Sequence, residues 1–138
     1  MTPDEFAERF NRLRSWEDRY RYLIQLGRKL PPYPEEFRDQ EHLVPGCLSQ
    51  VWLVTAEGSE PSEMVFRGDS DAHIVKGLVA VLLMMYSGKT AEQILSTDLK
   101  GFFERLDLGQ HLSVNRRNGF YSMTLKIREH AAQVVAAP

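Results

Sequence analysis

The chain has 138 residues, a size typical of one domain, and 43% of them are hydrophobic, which is enough to build a single core. Its 17 basic and 19 acidic residues nearly balance and form no polybasic block, so nucleic-acid binding and attachment to an anionic membrane surface are not indicated. Residues 1–5 are polar and acidic, unlike a secretory signal, and the apolar run at 78–86 is shorter than the roughly 20 residues that span a bilayer. We therefore expect one domain over residues 1–138, in the cytoplasm, with no nucleic-acid or membrane partner.

The first part of the chain predicts two helices. Thr2, Pro3 and Glu5 have the spacing of a capping box with proline in the first turn, and apolar residues then fall on one face. Ser15 resembles a second N-cap, and apolar residues recur at helical spacing over 16–30 before two prolines end the pattern.

The middle of the chain predicts a small antiparallel sheet. A very short strand at residues 43–44 precedes the turn signal Pro45-Gly46. Residues 50–55 are rich in β-branched and aromatic side chains and predict a strand. A largely polar turn at residues 56–62 and a second strand at 63–67 complete a hairpin.

The remaining segments predict helices. The loop at residues 68–71 leads to a central buried helix, because residues 72–86 are apolar almost all round. The segments that follow are two short helices at 90–95 and 98–106, a polar link at 109–115, and a last helix at about 116–134. Together these elements predict an α+β fold with two layers, in which a sheet of about three strands packs against helices.

Cys47 is the only cysteine, so an intramolecular disulfide is excluded and a reducing compartment is favoured. A lone cysteine is more often a small buried hydrophobe than a reactive group. Here it follows a Pro-Gly turn, and its neighbours Ser49 and Gln50 are polar, which favours a thiol presented to another molecule. The turn at Asp69-Ser70-Asp71 opens the central helix, whose N–H groups favour a thiolate while the two carboxylates oppose it.

The four histidines are scattered and none has the spacing of a metal ligand, so we predict no metal site. A cysteine hydrolase that pairs Cys47 with His42 or His111 stays open as an alternative, although many chains satisfy such a search.

Several segments, in order and over nearly the whole chain, resemble the SufE family. The cysteine segment, Gly46-Cys47-Leu48-Ser49-Gln50-Val51-Trp52, resembles the family's Gly-Cys-x-Ser-Gln-Val-Trp. The other matching segments are Trp16-Glu17, Leu26-Gly27, Gly68-Asp69-Ser70-Asp71-Ala72, Ile74-Val75-Lys76-Gly77-Leu78, Gln110-His111-Leu112-Ser113, Arg116 and Gly119.

This resemblance implies a sulfur acceptor and activator of a cysteine desulfurase rather than a stand-alone enzyme. It implies that Cys47 takes sulfur as a persulfide from a SufS-type desulfurase and passes it to an iron–sulfur scaffold complex of the SufBCD type. The implied fold is similar to that of IscU-type scaffolds. Pyridoxal phosphate belongs to the desulfurase, so no cofactor is expected in this chain, which is expected to be a monomer or a homodimer.

The resemblance and the residue types together give the candidate site. Cys47 is the persulfide acceptor, and the supporting candidates of the loop are Gly46, Ser49, Gln50 and Arg116. Our hypothesis is that Ser49 and Gln50 hold the loop or contact the persulfide, and that Arg116 organises the loop or pairs with a carboxylate of the partner. The candidate partner contacts are Asp69, Asp71 and His73. Because Val44, Pro45 and Leu48 make the loop apolar, we hypothesise that it folds inward at rest, shelters Cys47 and opens at the desulfurase.

Three other functions are alternatives to this one. A CsdE-like acceptor that serves a different desulfurase fits the same residues. An iron–sulfur scaffold is rejected as a monomeric site, since one cysteine cannot supply the three or four ligands of a cluster. An interaction domain with an inert thiol predicts that Cys47→Ser is harmless.

Overall fold

The computed structural model describes residues 1–56, 60 and 62–136. Within these residues the chain forms seven α-helices and one two-stranded sheet, so the predicted α+β class is confirmed. The elements are α1 (Pro3–Arg12), α2 (Trp16–Arg28), a 3₁₀ turn (Glu35–Phe37), β1 (Val51–Thr55), β2 (Phe66–Ser70), α3 (His73–Tyr86), α4 (Ala91–Ser96), α5 (Leu99–Arg105), α6 (Leu108–His111) and α7 (Val114–Ala136). None of the described helices has the length and apolar character needed to cross a membrane.

The helices begin where local caps predict. Thr2 accepts a hydrogen bond from the backbone N–H of Glu5 at 3.1 Å, and Ser15 accepts one from the N–H of Asp18 at 3.1 Å. These bonds satisfy N–H groups that the first turn of a helix leaves unpaired. The second helix ends at Arg28, before the prolines, because the N–H of Lys29 bonds back to the carbonyl of Leu26 and tightens the last turn.

The sheet confirms the hairpin but corrects its second strand. β1 and β2 are antiparallel, with Val51 opposite Ser70. The predicted strand at 63–67 lies three residues too early, so residues 68–70, predicted as loop, belong to β2. Gly68 suits this position because a Cβ there would lie 2.7 Å from a methyl group of Val79 in α3.

The other sheet predictions have two outcomes. The short strand expected at residues 43–44 is present as a single antiparallel bridge between Leu43 and Trp52. The polar turn expected at 56–62 falls mostly outside the described residues.

α3 lies at the centre of the domain, as its composition predicts, and is buried along most of its length. One side packs against β2 and another against α2. The crossing with α2 is very close, since a Cβ on Gly27 would lie 2.8 Å from the backbone nitrogen of Gly77. Two glycines at the crossing allow the helix backbones to touch.

The C-terminal part contains one more helix than predicted. The expected polar link at 109–115 includes the end of the one-turn helix α6. α7 then begins at Val114, and Ser113 accepts a hydrogen bond from the N–H of Arg116 at 3.2 Å. α7 packs against α4 and α3, which brings its first turns beside the segment that carries Cys47.

Candidate functional site

The cysteine loop, defined here as residues 44–50, leads directly into β1. Its first residue is tied down because the N–H of Val44 donates to the carbonyl of Val51 at 2.8 Å. Gly46 has φ +83°, a left-handed conformation that glycine adopts without a steric penalty. A Cβ at Gly46 would also lie only 2.8 Å from the Oγ of Ser122 in α7. The Pro-Gly turn is therefore required by both its own geometry and the close approach to α7.

Asp71 holds the other end of the cysteine loop. Its carboxylate accepts a hydrogen bond from the backbone N–H of Gln50 at 3.0 Å, and its own N–H donates to the Gln50 carbonyl at 3.2 Å. Asp71 was predicted as a partner contact. The structure gives this exposed residue a role within the chain, as an anchor of the loop that carries the thiol.

Cys47 is half-buried, with its sulfur turned towards α7. The thiol donates a weak hydrogen bond to the backbone carbonyl of Gly119, with an Sγ–O distance of 3.6 Å. Burial raises the pKa of the Cys47 thiol, because a low-dielectric environment disfavours the thiolate. The next residue, Leu48, is 82% exposed. The loop thus turns its thiol inward and presents an apolar side chain to solvent.

A cavity of about 330 Å³ opens beside Cys47. Its buried apolar lining comes from α3 and α7 and consists of Val75, Leu78, Phe120 and Met123. Its more accessible polar lining consists of Ser49, Ser113, Asn115 and Arg116. A second hollow of about 320 Å³ is lined by the whole cysteine loop together with Gln40 and Leu43. Unfilled space therefore borders the loop.

The structure brings together part of the predicted site. Cys47, Ser49 and Arg116 line one cavity, although Arg116 is 69 positions later in the chain. The backbone of Gln50 is held by Asp71, and its side chain is exposed. His73 is exposed in the first turn of α3 and keeps its place among the candidate partner contacts.

Asp69, another candidate partner contact, lies in an ion cluster with its side chain only 16% exposed. Its carboxylate lies 2.9 Å from Arg38 and 3.3 Å from Lys76. Burial on its own raises the pKa of the Asp69 carboxyl, but hydrogen bonds from Arg38, the Ser70 N–H and Lys76 outweigh it and lower that pKa. The structure therefore accounts for this carboxylate without a partner protein.

Arg38 is a residue that sequence reasoning missed. Its guanidinium lies over the rings of Tyr33 and Trp52, 5.2 and 4.8 Å from their centroids, and also pairs with Glu35. No local pattern relates Arg38 to Asp69, which is 31 positions away. Ser122 and the apolar cavity lining were missed for the same reason, since only the folded chain places them beside the cysteine loop.

The histidines do not pair with the thiol. Nδ1 of His42 lies 2.7 Å from Asp39, and the ring of His111 stacks on Trp16 with a centroid distance of 3.8 Å. Within the described residues the Cys47 thiol hydrogen-bonds only to the Gly119 carbonyl. In the same part of the chain, no three histidine, cysteine or carboxylate side chains come close enough together to hold a metal ion.

Comparisons with known proteins identify the family to which this chain belongs. The family model of the SufE Fe-S metabolism associated domain matches residues 4–131. The chain belongs to the SufE family. The resemblance seen in its motifs is thereby confirmed over almost its entire length, and Cys47 lies in the motif that carries it.

Two bacterial relatives extend the match. An uncharacterized SufE-like protein of Rhizobium etli is 49% identical over 136 residues, which cover 97% of this chain and 92% of the relative. A second uncharacterized SufE-like protein, from Rhizobium meliloti, is 48% identical over 130 residues and 93% of each chain. This SufE-family chain therefore aligns with these relatives nearly end to end.

A solved structure supports the fold. The solution structure of a hypothetical protein from Thermus thermophilus superposes with a TM-score of 0.76 and covers 99% of this chain and 100% of its own. The two chains are 20% identical, so this SufE-family member shares with it an architecture that persists despite extensive change in sequence.

Proposed function

We propose that this protein accepts sulfur from a cysteine desulfurase, raises the turnover of that enzyme, and carries the sulfur as a persulfide on Cys47 to iron–sulfur cluster assembly. One observation carries the proposal: the only cysteine of a SufE-family chain lies in a turn beside a cavity and next to an exposed leucine. The family supplies the link to iron–sulfur metabolism.

The transfer needs one thiol and no oxidant. The Cys47 thiolate attacks the outer sulfur of the desulfurase persulfide, and a new bond forms between that sulfur and Sγ of Cys47. The bond between the two donor sulfurs breaks, and its electron pair leaves with the donor cysteine as a thiolate. The donor is free for another cycle, and Cys47 carries a persulfide. With no second cysteine in the chain, an intramolecular disulfide cannot release the sulfur.

The resting geometry keeps the thiol protonated until a partner is present. The raised pKa of Cys47 and its contact with the Gly119 carbonyl both disfavour the thiolate. When the loop swings outward, the thiol leaves this environment, and the exposed Leu48 provides an apolar contact by which a partner draws it out. Arg116 lies at the cavity as the positive charge that stabilises the thiolate or pairs with a carboxylate of the partner.

Two further observations favour a carrier over an independent cysteine hydrolase. A hydrolase requires a base beside its nucleophile, and none of the described histidines hydrogen-bonds to Cys47. A stand-alone hydrolase also needs its thiol activated in the isolated protein, where burial raises the pKa of Cys47, whereas the proposed carrier needs activation only when the loop opens at its partner.

The test is intact-mass spectrometry after incubation with a SufS-type desulfurase, pyridoxal phosphate and free cysteine. We expect the mass of one or more added sulfur atoms, removed by reductant and absent from Cys47→Ser. In the same assay, the wild-type protein is expected to increase desulfurase turnover, and Cys47→Ser is not.

The identity of the desulfurase is tested in parallel. Transfer from a CsdA-type enzyme but not from a SufS-type enzyme would assign the protein as a CsdE-like acceptor. An unmodified protein beside two active desulfurases would refute the proposed function.

A further inference from the structure

Gly119 occupies a position in α7 that is costly for glycine. It is buried in the second turn of a 23-residue helix, where glycine is among the least favourable residues. A side chain at this position meets the cysteine directly, since an added Cβ would lie 3.3 Å from Sγ and 3.8 Å from Cβ of Cys47. Apart from its chain neighbours and the backbone of its own helix, no other described residue lies within 4 Å of that Cβ.

The distance between a Cβ added to Gly119 and Sγ of Cys47 would be shorter than most Cβ contacts in proteins. At 3.3 Å from an added methyl group, the sulfur has to retreat by a few tenths of an ångström. Gly119 also provides the carbonyl that accepts the thiol hydrogen bond at 3.6 Å. One residue thus supplies both the space and the acceptor for the inward-facing thiol.

We propose that Gly119 is a positioning residue for Cys47: its missing side chain lets the sulfur lie against α7, and this contact sets how often the thiol is available to a reactant. The inference rests on the proposed function because it concerns the same thiol. Replacing Gly119 by alanine shifts the loop towards outward conformations, while the helix itself becomes more favourable.

A double-mutant cycle in thermal unfolding tests the contact without any partner protein. Cys47→Ala removes the sulfur and keeps the Cβ of residue 47, which would lie at an ordinary van der Waals distance from a Cβ added to Gly119. In that background, Gly119→Ala is expected to raise Tm by a few degrees through helix propensity. With Cys47 present, the gain is expected to be clearly smaller or reversed, because the methyl group meets the sulfur.

Asn118→Ala is the matched control. It replaces another poor helix former in the same turn of α7, is exposed, and does not line the cavity. Its effect on Tm is expected to be the same with and without the sulfur. Equal effects of Gly119→Ala in the two backgrounds would overturn the proposal. If Gly119→Ala does not fold with Cys47 present, recovery in the Cys47→Ala background supports the proposal, and failure in both overturns it.

Alkylation of Cys47 gives a second readout. With iodoacetamide at neutral pH and well below Tm, Gly119→Ala is expected to react about threefold faster or more, because the rate follows the population of exposed thiol. Asn118→Ala is expected to react at the wild-type rate. A wild-type rate in Gly119→Ala would refute the positioning role.

Sulfur transfer separates the two proposals. In an assay with the desulfurase, Gly119→Ala is expected to change the maximal rate and leave the half-saturating concentration within about twofold, because Gly119 is buried and does not form a docking surface. Failure of the wild-type protein to accept sulfur, with the coupling between residues 47 and 119 intact, would refute only the function. Normal transfer without that coupling would refute only the role of Gly119.

Discussion

The environment of Cys47 favours the protonated thiol over the thiolate. Its sulfur faces a backbone carbonyl and borders a cavity of mixed polar and apolar lining, while Leu48 beside it is exposed to solvent. The described structure supplies no hydrogen bond from a cation or a histidine to the sulfur. In the proposed function, activation therefore depends on movement of this loop, which borders open space.

The pH dependence of Cys47 follows from this environment. Because the pKa is raised by burial, iodoacetamide is expected to react more slowly with the folded protein than with the urea-unfolded chain between about pH 7 and 9. The contribution of the protonated Cys47 thiol to the free energy of unfolding is fully present below the ordinary thiol pKa of 9.0. It is lost as the pH rises through the raised pKa of the folded protein. Equal rates for folded and unfolded protein across this range would contradict the raised pKa.

At the scale of elements, the crossing of α2 and α3 fixes the frame to which the cysteine loop is attached. α3 begins two residues after Asp71, which anchors the loop, and it supplies Val75 and Leu78 to the cavity. The backbones meet at Gly27 and Gly77, with no room for a side chain. A change in this crossing displaces both the anchor and the cavity lining.

Gly77→Ala tests the crossing. The added Cβ would lie 2.6 Å from the carbonyl carbon of Leu23, so the two helices have to separate. We expect a loss of about 2–3 kcal/mol in the free energy of unfolding, measured by urea denaturation. Gly109→Ala is the control, because its Cβ would meet only Phe103 at 3.4 Å. A similar small change for both variants would show that the crossing tolerates a methyl group.

Over the whole molecule, the sequence predicts best those features whose causes lie within a few residues. The caps at Thr2 and Ser15 and the turn at Gly46 each rest on a contact or a backbone preference of that range. The bounds of the second strand were predicted wrongly because they depend on distant partners, such as Val79 against Gly68. The motif also identified the cysteine, but not the residues that α3 and α7 bring to it.

The ion cluster around Asp69 joins three distant parts of the molecule. Because it links the segment after α2 to β2 and α3, Asp69→Asn is expected to cost about 1–3 kcal/mol of stability at neutral pH. Because the pKa of the Asp69 carboxyl is lowered in the folded protein, its contribution to the free energy of unfolding is fully present at pH values above the ordinary carboxyl pKa of about 3.9. This contribution is lost as the pH falls through the pKa of the folded state. The free energy of unfolding of Asp69→Asn is therefore expected to fall less on acidification than that of the wild type.

Urea unfolding at several pH values measures this effect. Glu35→Gln is the matched control, since it removes the other, exposed carboxylate partner of Arg38 and is expected to change stability little. An equal loss in the two variants would indicate that Asp69 contributes no more than a surface ion pair.

Trp52 is an intrinsic fluorophore that lies close to the cysteine loop. Trp52 forms the bridge to Leu43, at the approach to the cysteine loop, and its ring lies 4.8 Å from the Arg38 guanidinium. Trp16 is the only other tryptophan in the chain. In a Trp16→Phe background, tryptophan fluorescence comes from Trp52 alone, and the proposed opening of the loop is expected to change its emission. Stopped-flow mixing then follows the proposed opening without an attached dye.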